Sequence, residues 1–159
     1  MVGLLIEKGA LKSKFALIEL SQHFSYRPDL AEIALQQGAD PNGEGPSGER
    51  ALVEAADHNE LMGLWLVEHG ADPALADSEG KYALQESLHN KRYDTLARRL
   101  IAEGAPLNKR DHWKRTPLDW ATLLPSPSLM ELIKDKGGDM DDELREGVLR
   151  DPYLKDALK

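Results

Sequence analysis

The chain has 159 residues, of which 41% are hydrophobic and 30% are charged, so it can bury the core of one domain. It contains no cysteine, which excludes disulfides, thiolate metal sites and cysteine nucleophiles and favours a reducing, cytoplasmic location. The net charge of −8 disfavours nucleic acids and anionic membranes as partners, because both would be repelled, and favours a basic protein.

The N-terminal segment 2–8 is apolar and is followed by Gly9. It lacks the pattern of a signal peptide, and no segment approaches the roughly 18 apolar residues of a membrane span. We interpret it as the second helix of a repeat whose first helix is missing, either a cap or a boundary within a longer array. The protein is expected to be a monomer, although this apolar end would allow self-association.

Glycines recur along the chain at intervals of 29, 32, 34 and 33 residues. They are Gly9, Gly38, Gly70, Gly104 and Gly137. A leucine lies 14 residues after three of them, at Leu52, Leu84 and Leu118. A period of this length predicts a solenoid of repeated units, because a small unit cannot bury its own apolar face and must stack on its neighbour.

Four helical hairpins are predicted, each with an apolar first helix, a turn and a second helix that ends at a glycine. They cover residues 15–37, 51–69, 83–103 and 116–136. We expect Asp29 to cap the second helix of the first hairpin, and Thr116 followed by Pro117 to begin the fourth.

The period stops after Gly138, and two further helical patterns occupy the C-terminal residues. They are interpreted as a cap, because the last repeat of a solenoid otherwise exposes its core face; a segment reserved for a partner is the alternative. The predicted domains are therefore a repeat array over residues 1–139 and capping helices over residues 140–159.

The helix boundaries resemble those of the ankyrin-repeat family. The matching motifs are Thr116-Pro117-Leu118 with Ala121, Gly38-Ala39-Asp40-Pro41-Asn42, Glu68-His69-Gly70-Ala71-Asp72 and Gly104-Ala105-Pro106-Leu107-Asn108. The resemblance implies an all-α, ankyrin-like solenoid of stacked helix-turn-helix repeats with hairpin loops and terminal capping helices. It further implies a non-enzymatic protein that binds another protein through loop tips and inner helices. Arg50 and Gln85 replace a threonine and a histidine of the family pattern, so the inter-repeat hydrogen bonds of those residues are expected to be lacking.

Three motifs that would suggest nucleotide binding, metal binding or catalysis are not supported by the residues around them. The stretch Gly43–Gly48 matches G-x-G-x-x-G, but a helix precedes it where a strand is needed, and Glu49 occupies the position of a phosphate-binding lysine. The five histidines show no metal-ligand spacing, and no serine lies in a nucleophile elbow. We therefore expect no catalytic residues, no metal and no cofactor.

The surface is more informative, because equivalent residues of successive repeats line up. Glu19, Glu54 and Glu86 share one position, which Trp120 occupies in the fourth repeat. This row predicts either an acidic strip that attracts a basic segment or ordinary solvated glutamates.

The basic loop 109–115 carries Trp113 near its tip. Tryptophan and arginine are enriched at interface hot spots, so an interface is predicted here; alternatively Trp113 folds back over the third repeat. The predicted protein-binding residues are Glu19, Glu44, Arg50, Glu54, Asp77, Glu79, Lys81, Tyr82, Glu86, Arg110, His112, Trp113 and Lys114. Two alternative functions remain open: a targeting arm of a larger enzyme or effector, and an inhibitor or immunity-type protein that masks a basic toxin.

Overall fold

A computed structural model describes residues 13–23, 25–89, 94–123, 126–140 and 145–146 of the chain. Within these ranges the chain forms eight principal helices. They are α1 (Ala16–Ser21), α2 (Pro28–Gln36), α3 (Ala51–His58), α4 (Glu60–Glu68), α5 (Ala83–His89), α6 (Asp94–Ala102), α7 (Pro117–Ala121) and α8 (Pro127–Asp135).

The helices pack as four sequential hairpins. Each odd-numbered helix contacts the even-numbered helix that follows it, and the first helices α1, α3, α5 and α7 pack against one another in chain order. The second helices α4, α6 and α8 form a parallel row. The predicted all-α, ankyrin-like array of stacked hairpins is therefore confirmed.

Each first helix contributes one leucine to a continuous core, and we call these four residues the anchor leucines. Leu17, Leu52, Leu84 and Leu118 are all buried and belong to a single apolar cluster. Close approach between second helices depends on Gly63, because a Cβ atom there would lie 2.6 Å from a methyl carbon of Leu96. The hairpins thus share an interior that none of them could form alone.

The helix ends follow the sequence with one exception. Gly38, Gly70 and Gly104 have φ angles of 92°, 89° and 89°, as expected of residues that end a helix in the left-handed conformation. Thr116 caps α7 and forms a reciprocal capping box with Asp119, which confirms the predicted start of the fourth hairpin.

The prediction that Asp29 caps α2 is wrong. Arg27 occupies the cap position and Pro28 the first turn, because proline already has the φ angle that a first helical turn requires. Asp29 instead accepts hydrogen bonds of 2.9 and 2.6 Å from the guanidinium of Arg27.

The predicted N-terminal segment lies outside the described residues, as does nearly all of the predicted C-terminal cap over 140–159. Across the described part of the chain, none of the helices combines the length and the apolar character needed to cross a bilayer.

Candidate functional site

Three hairpin loops of equal length connect the repeats and carry most of the predicted binding residues. We define loop 1 as residues 43–50, loop 2 as 75–82 and loop 3 as 109–116. Antiparallel bridges close loops 1 and 2, between Glu44 and Arg50 and between Ala76 and Tyr82. Loops 1 and 2 also touch at their tips, where the backbone N–H of Ser78 donates to the Gly48 carbonyl at 3.0 Å. The tips of loops 1 and 2 therefore form a connected surface.

A carboxylate organises the backbone inside each loop. In loop 2, Oδ1 of Asp77 accepts hydrogen bonds from the N–H groups of Glu79 and Lys81, at 2.9 and 2.8 Å. In loop 3, Oδ1 of Asp111 accepts the equivalent bonds from Trp113 and Arg115, at 2.9 and 3.0 Å. These bonds hold the loop in one conformation before any partner binds.

Loop 1 obtains its carboxylate from a different position. Gly45 stands where the other loops have aspartate, and Oε2 of Glu49 accepts a hydrogen bond of 3.0 Å from the Ser47 N–H instead. A Cβ atom on Gly45 would lie 2.4 Å from that oxygen, so the glycine leaves room for the glutamate. The stretch 43–48, whose match to G-x-G-x-x-G was rejected from its sequence context, is thus part of a hairpin loop between α2 and α3.

Arg50 and Gln85 correct the prediction that inter-repeat hydrogen bonds are missing at their positions. Arg50 donates from Nε to the Ala76 carbonyl in loop 2 at 2.8 Å, and it also binds Glu44 at 3.2 Å. Gln85 donates from Nε2 to the Lys109 carbonyl in loop 3 at 2.9 Å. Long polar side chains reach the backbone of the next repeat, so these substitutions replace the family contacts with others.

Loop 2 presents both charges. The ammonium of Lys81 lies 2.6 Å from the carboxylate of Glu79, and this contact lowers the pKa of Glu79 and raises the pKa of Lys81. Glu79 is exposed, whereas Asp77, Lys81 and Tyr82 are half-buried. The charged groups at this tip are therefore already paired with each other.

Loop 3 presents an aromatic cluster. Trp113 is 45% exposed, and its ring centroid lies 3.3 Å from that of His112 and 5.4 Å from that of His89. The edge of the cluster is Trp120, whose centroid is 5.4 Å from that of Trp113. Trp113 therefore both packs on α5 and α7 and keeps half of its ring accessible. Its neighbours Arg110 and Lys114 are exposed.

The predicted row of carboxylates differs in burial along the array. Glu19 is exposed, Glu54 is half-buried and Glu86 is only 4% exposed. Burial raises the pKa of Glu86 to about 7, with a further contribution from the negative charge of Asp57, while Lys81 acts in the opposite direction. Glu86 is thus not the solvated glutamate that its repeat position suggests.

Two residues near this surface were not among those predicted, namely Asp57 and His89. They occupy equivalent repeat positions, three residues after Glu54 and Glu86, and therefore lie on the same helix faces. This three-residue spacing is the feature of the sequence from which both residues could have been predicted. Among the described residues, no group of three or more histidine or acidic side chains is arranged to hold a metal ion.

No protein-family model matches the chain. It is similar to a human protein named Cyclin-dependent kinase 4 inhibitor B, with 33% identity over 90 residues. The aligned residues make up 55% of this chain and 63% of the human protein, so the similarity spans less than two thirds of that relative. The resemblance to the ankyrin-repeat family is thereby confirmed: the chain is a distant homologue of an ankyrin-repeat protein and folds as an ankyrin-like array of helical hairpins.

Proposed function

We propose that this chain is a non-enzymatic protein-binding module that contacts its partner through the tips of loops 1 to 3 and the exposed side of the first helices. The name of the human relative, an inhibitor of a kinase, supports a protein as the partner. The loops support it as well, because backbone hydrogen bonds to internal carboxylates fix them before binding and so reduce the entropy lost on association.

The observation that carries the proposal is the half-exposed indole of Trp113. Its packing against His89 and Trp120 fixes the ring, and the same loop carries the exposed basic residues Arg110 and Lys114. A rigid, partly exposed aromatic ring within a charged rim is the arrangement of an interface hot spot. Trp113 would anchor the partner, and the surrounding charges would set its orientation and association rate.

Charge favours a basic partner over a nucleic acid or an anionic membrane. The net charge is −8, and both Glu19 and Glu54 lie on first helices with at least partly exposed side chains. Loop 3 is basic, so the surface has an acidic part and a basic part. This separation of charge would favour one orientation of the bound partner.

The experiment is capture of partners from the native host with wild-type protein, followed by affinity measurement with Trp113→Ala. We expect the variant to lose more than about 1 kcal/mol of binding free energy while folding is unchanged. The matched control is Leu61→Ala, which truncates a residue of α4 that is 54% exposed. Equal affinities of the wild type and Trp113→Ala would remove loop 3 from the interface.

Inhibition of an enzyme is the second candidate function. The name of the human relative favours a cyclin-dependent kinase as the target, and a masked basic toxin belongs to the same class of function. The test is the activity of a purified cyclin-dependent kinase 4 complex with increasing amounts of this protein. Activity that falls with wild type and not with Trp113→Ala would support inhibition through loop 3, and unchanged activity would exclude this kinase.

A further inference from the structure

A buried carboxylate with one unpaired oxygen lies on the first helix of the third repeat. Glu86 of α5 is 4% exposed, and its Oε1 has no donor. The residues whose charges act on it come from three other elements: Asp57 from α3, Asp77 and Lys81 from loop 2, and Asp111 from loop 3. We call these four residues and Glu86 the Glu86 pocket.

The cation already in the pocket is engaged elsewhere. Lys81 forms an ion pair with Glu79 at 2.6 Å at the tip of loop 2, and its charge offsets only part of the effect of burial on the pKa of Glu86. Asp77 and Asp111 are occupied as well, because each accepts hydrogen bonds from the backbone of its own loop. Glu86 therefore lacks the compensation that a buried carboxylate normally has.

Among the carboxylates that act on Glu86, Asp57 on the first helix of the preceding repeat is the most exposed. The side chain of Asp57 is 49% exposed and lies 3.7 Å from the ring of His58. Glu54, on the same helix, is half-buried. An incoming cation would meet these carboxylates before it reached Glu86, so the charges guide it inward.

We propose, as an extension of the protein-binding function above, that the Glu86 pocket receives a lysine or arginine side chain of the partner, whose cationic N–H groups donate to Glu86. The donor supplies what Oε1 lacks, and its charge offsets that of the surrounding carboxylates. An anionic group is disfavoured by the same charges. A metal ion is disfavoured because no set of ligands is arranged to hold one among the described residues.

The pocket also predicts that binding releases protons. Glu86 is partly protonated near neutral pH, with its pKa raised to about 7, and a bound cation favours its ionised form. Lys81 remains a cation because its pKa is raised. Glu86 is therefore expected to lose a proton when the partner binds.

The probe for the test is a fluorescent twelve-residue peptide of alternating lysine and glycine, compared with the same peptide carrying acetyl-lysine. Binding is measured by anisotropy at low ionic strength with wild type, Glu86→Gln and Glu68→Gln. Glu68→Gln removes one charge from an exposed position on α4 and is the matched control. We expect Glu86→Gln to weaken binding about five-fold and the control less than about two-fold. The acetylated peptide should not distinguish the three proteins.

Calorimetry near pH 7 in buffers of different ionisation enthalpy gives the second readout. We expect the wild type to release protons as the lysine peptide binds and Glu86→Gln to release none. Equal weakening by the two glutamine variants, or equal proton release, would overturn the pocket.

The partner itself separates this inference from the proposed function. A captured partner that requires Trp113 but binds Glu86→Gln at full strength would overturn the pocket and leave the loop interface in place. Selective loss of lysine-peptide binding in Glu86→Gln, with partner affinity unchanged in Trp113→Ala, would support the pocket and reject the loop interface.

Discussion

The carboxylate of Asp111 accepts a hydrogen bond of 2.6 Å from the indole Nε1 of Trp120. The two residues are buried, at 6% and 9% exposure, so the bond fastens loop 3 to α7 away from water. Because the other carboxylate oxygen of Asp111 holds the N–H groups of Trp113 and Arg115, one side chain both shapes the loop and attaches it to the array. The position of Trp113 thus depends on the buried carboxylate of Asp111.

Asp111→Asn is expected to destabilise the protein by about 1–3 kcal/mol. The amide keeps one acceptor oxygen, so either the loop N–H groups or the indole of Trp120 must face an NH₂ donor. Thermal unfolding followed by tryptophan fluorescence measures this, best at about pH 5, where Glu86 is largely protonated and little affected by the lost charge. Asp77→Asn is the control and should cost little, because both loop bonds of Asp77 use a single oxygen. Equal losses in the two variants would contradict the role of the Trp120 bond.

Lys114 has a φ angle of 62°, at the loop position where Gly48 and Gly80 have 85° and 78°. A side chain in this conformation costs about 1 kcal/mol, because Cβ crowds the neighbouring backbone. Lys114→Gly is therefore expected to stabilise the protein by about 1 kcal/mol in denaturant unfolding. Gly80→Lys tests the same cost in reverse, since a Cβ on Gly80 would meet no atom within 4 Å. A Lys114→Gly variant no more stable than wild type would show that Lys114 makes a compensating contact.

Much of the fold could be predicted because periodicity depends on many residues at once. The anchor leucines and the glycines that end the second helices recur in every repeat. A single departure therefore leaves the architecture unchanged, as Asp29 shows, which does not cap α2. Contacts at single positions were harder to predict. Arg50 and Gln85 depart from the family pattern but still reach the backbone of the next repeat, because their side chains are long enough.

The burial of Glu86 could not be predicted from its repeat position. Glu19 and Glu54 share that position and remain at least partly accessible, so the difference arises from neighbouring repeats and loops. The charges of Asp57 and Asp111 act on Glu86 from residues 29 and 25 positions away in the sequence. Such contacts follow only from how adjacent repeats stack.

Glu86 makes stability depend on pH. The pKa of its carboxyl is about 7 in the folded protein and about 4.5 as an ordinary glutamate, so the folded state binds more protons between these values. Stability is therefore expected to fall as the pH rises from about 4.5 to about 7, and the loss persists above this range.

Glu86→Gln cannot ionise and should abolish this loss. We expect the variant to match the wild type near pH 4 and to exceed it by about 3 kcal/mol above pH 8, as measured by urea unfolding across the pH range. Glu68→Gln, at an exposed position, should follow the wild-type profile. A Glu86→Gln variant that is less stable at high pH would mean that the ionised carboxylate has a stabilising partner.

Asn42 follows the glycine that ends α2, and its side-chain amide bonds through both ends to the segment that follows α4. Its Nδ2 donates to the Gly70 carbonyl at 2.9 Å, and its Oδ1 accepts from the Asp72 N–H at 2.7 Å. Asn108 forms the same pair of bonds with Gly137 and Asp139, in the segment that follows α8. The equivalent residue of the intervening repeat is Ala74, and Pro106 occupies the position in the following repeat that corresponds to Asp72. Proline has no N–H, so an asparagine there could form only one of the two bonds.

Asn42→Ala is expected to cost about 1–2 kcal/mol of unfolding free energy, because two hydrogen bonds between repeats are lost. Asn108→Ala should cost a similar amount. The reverse change, Ala74→Asn, should alter stability by less than about 0.5 kcal/mol, because only the carbonyl of Gly104 is available to pair with it. Chemical denaturation of the three variants beside the wild type measures these differences. A gain from Ala74→Asn as large as the loss from Asn42→Ala would show that the bond to the carbonyl alone links the repeats and that the N–H of Asp72 contributes little.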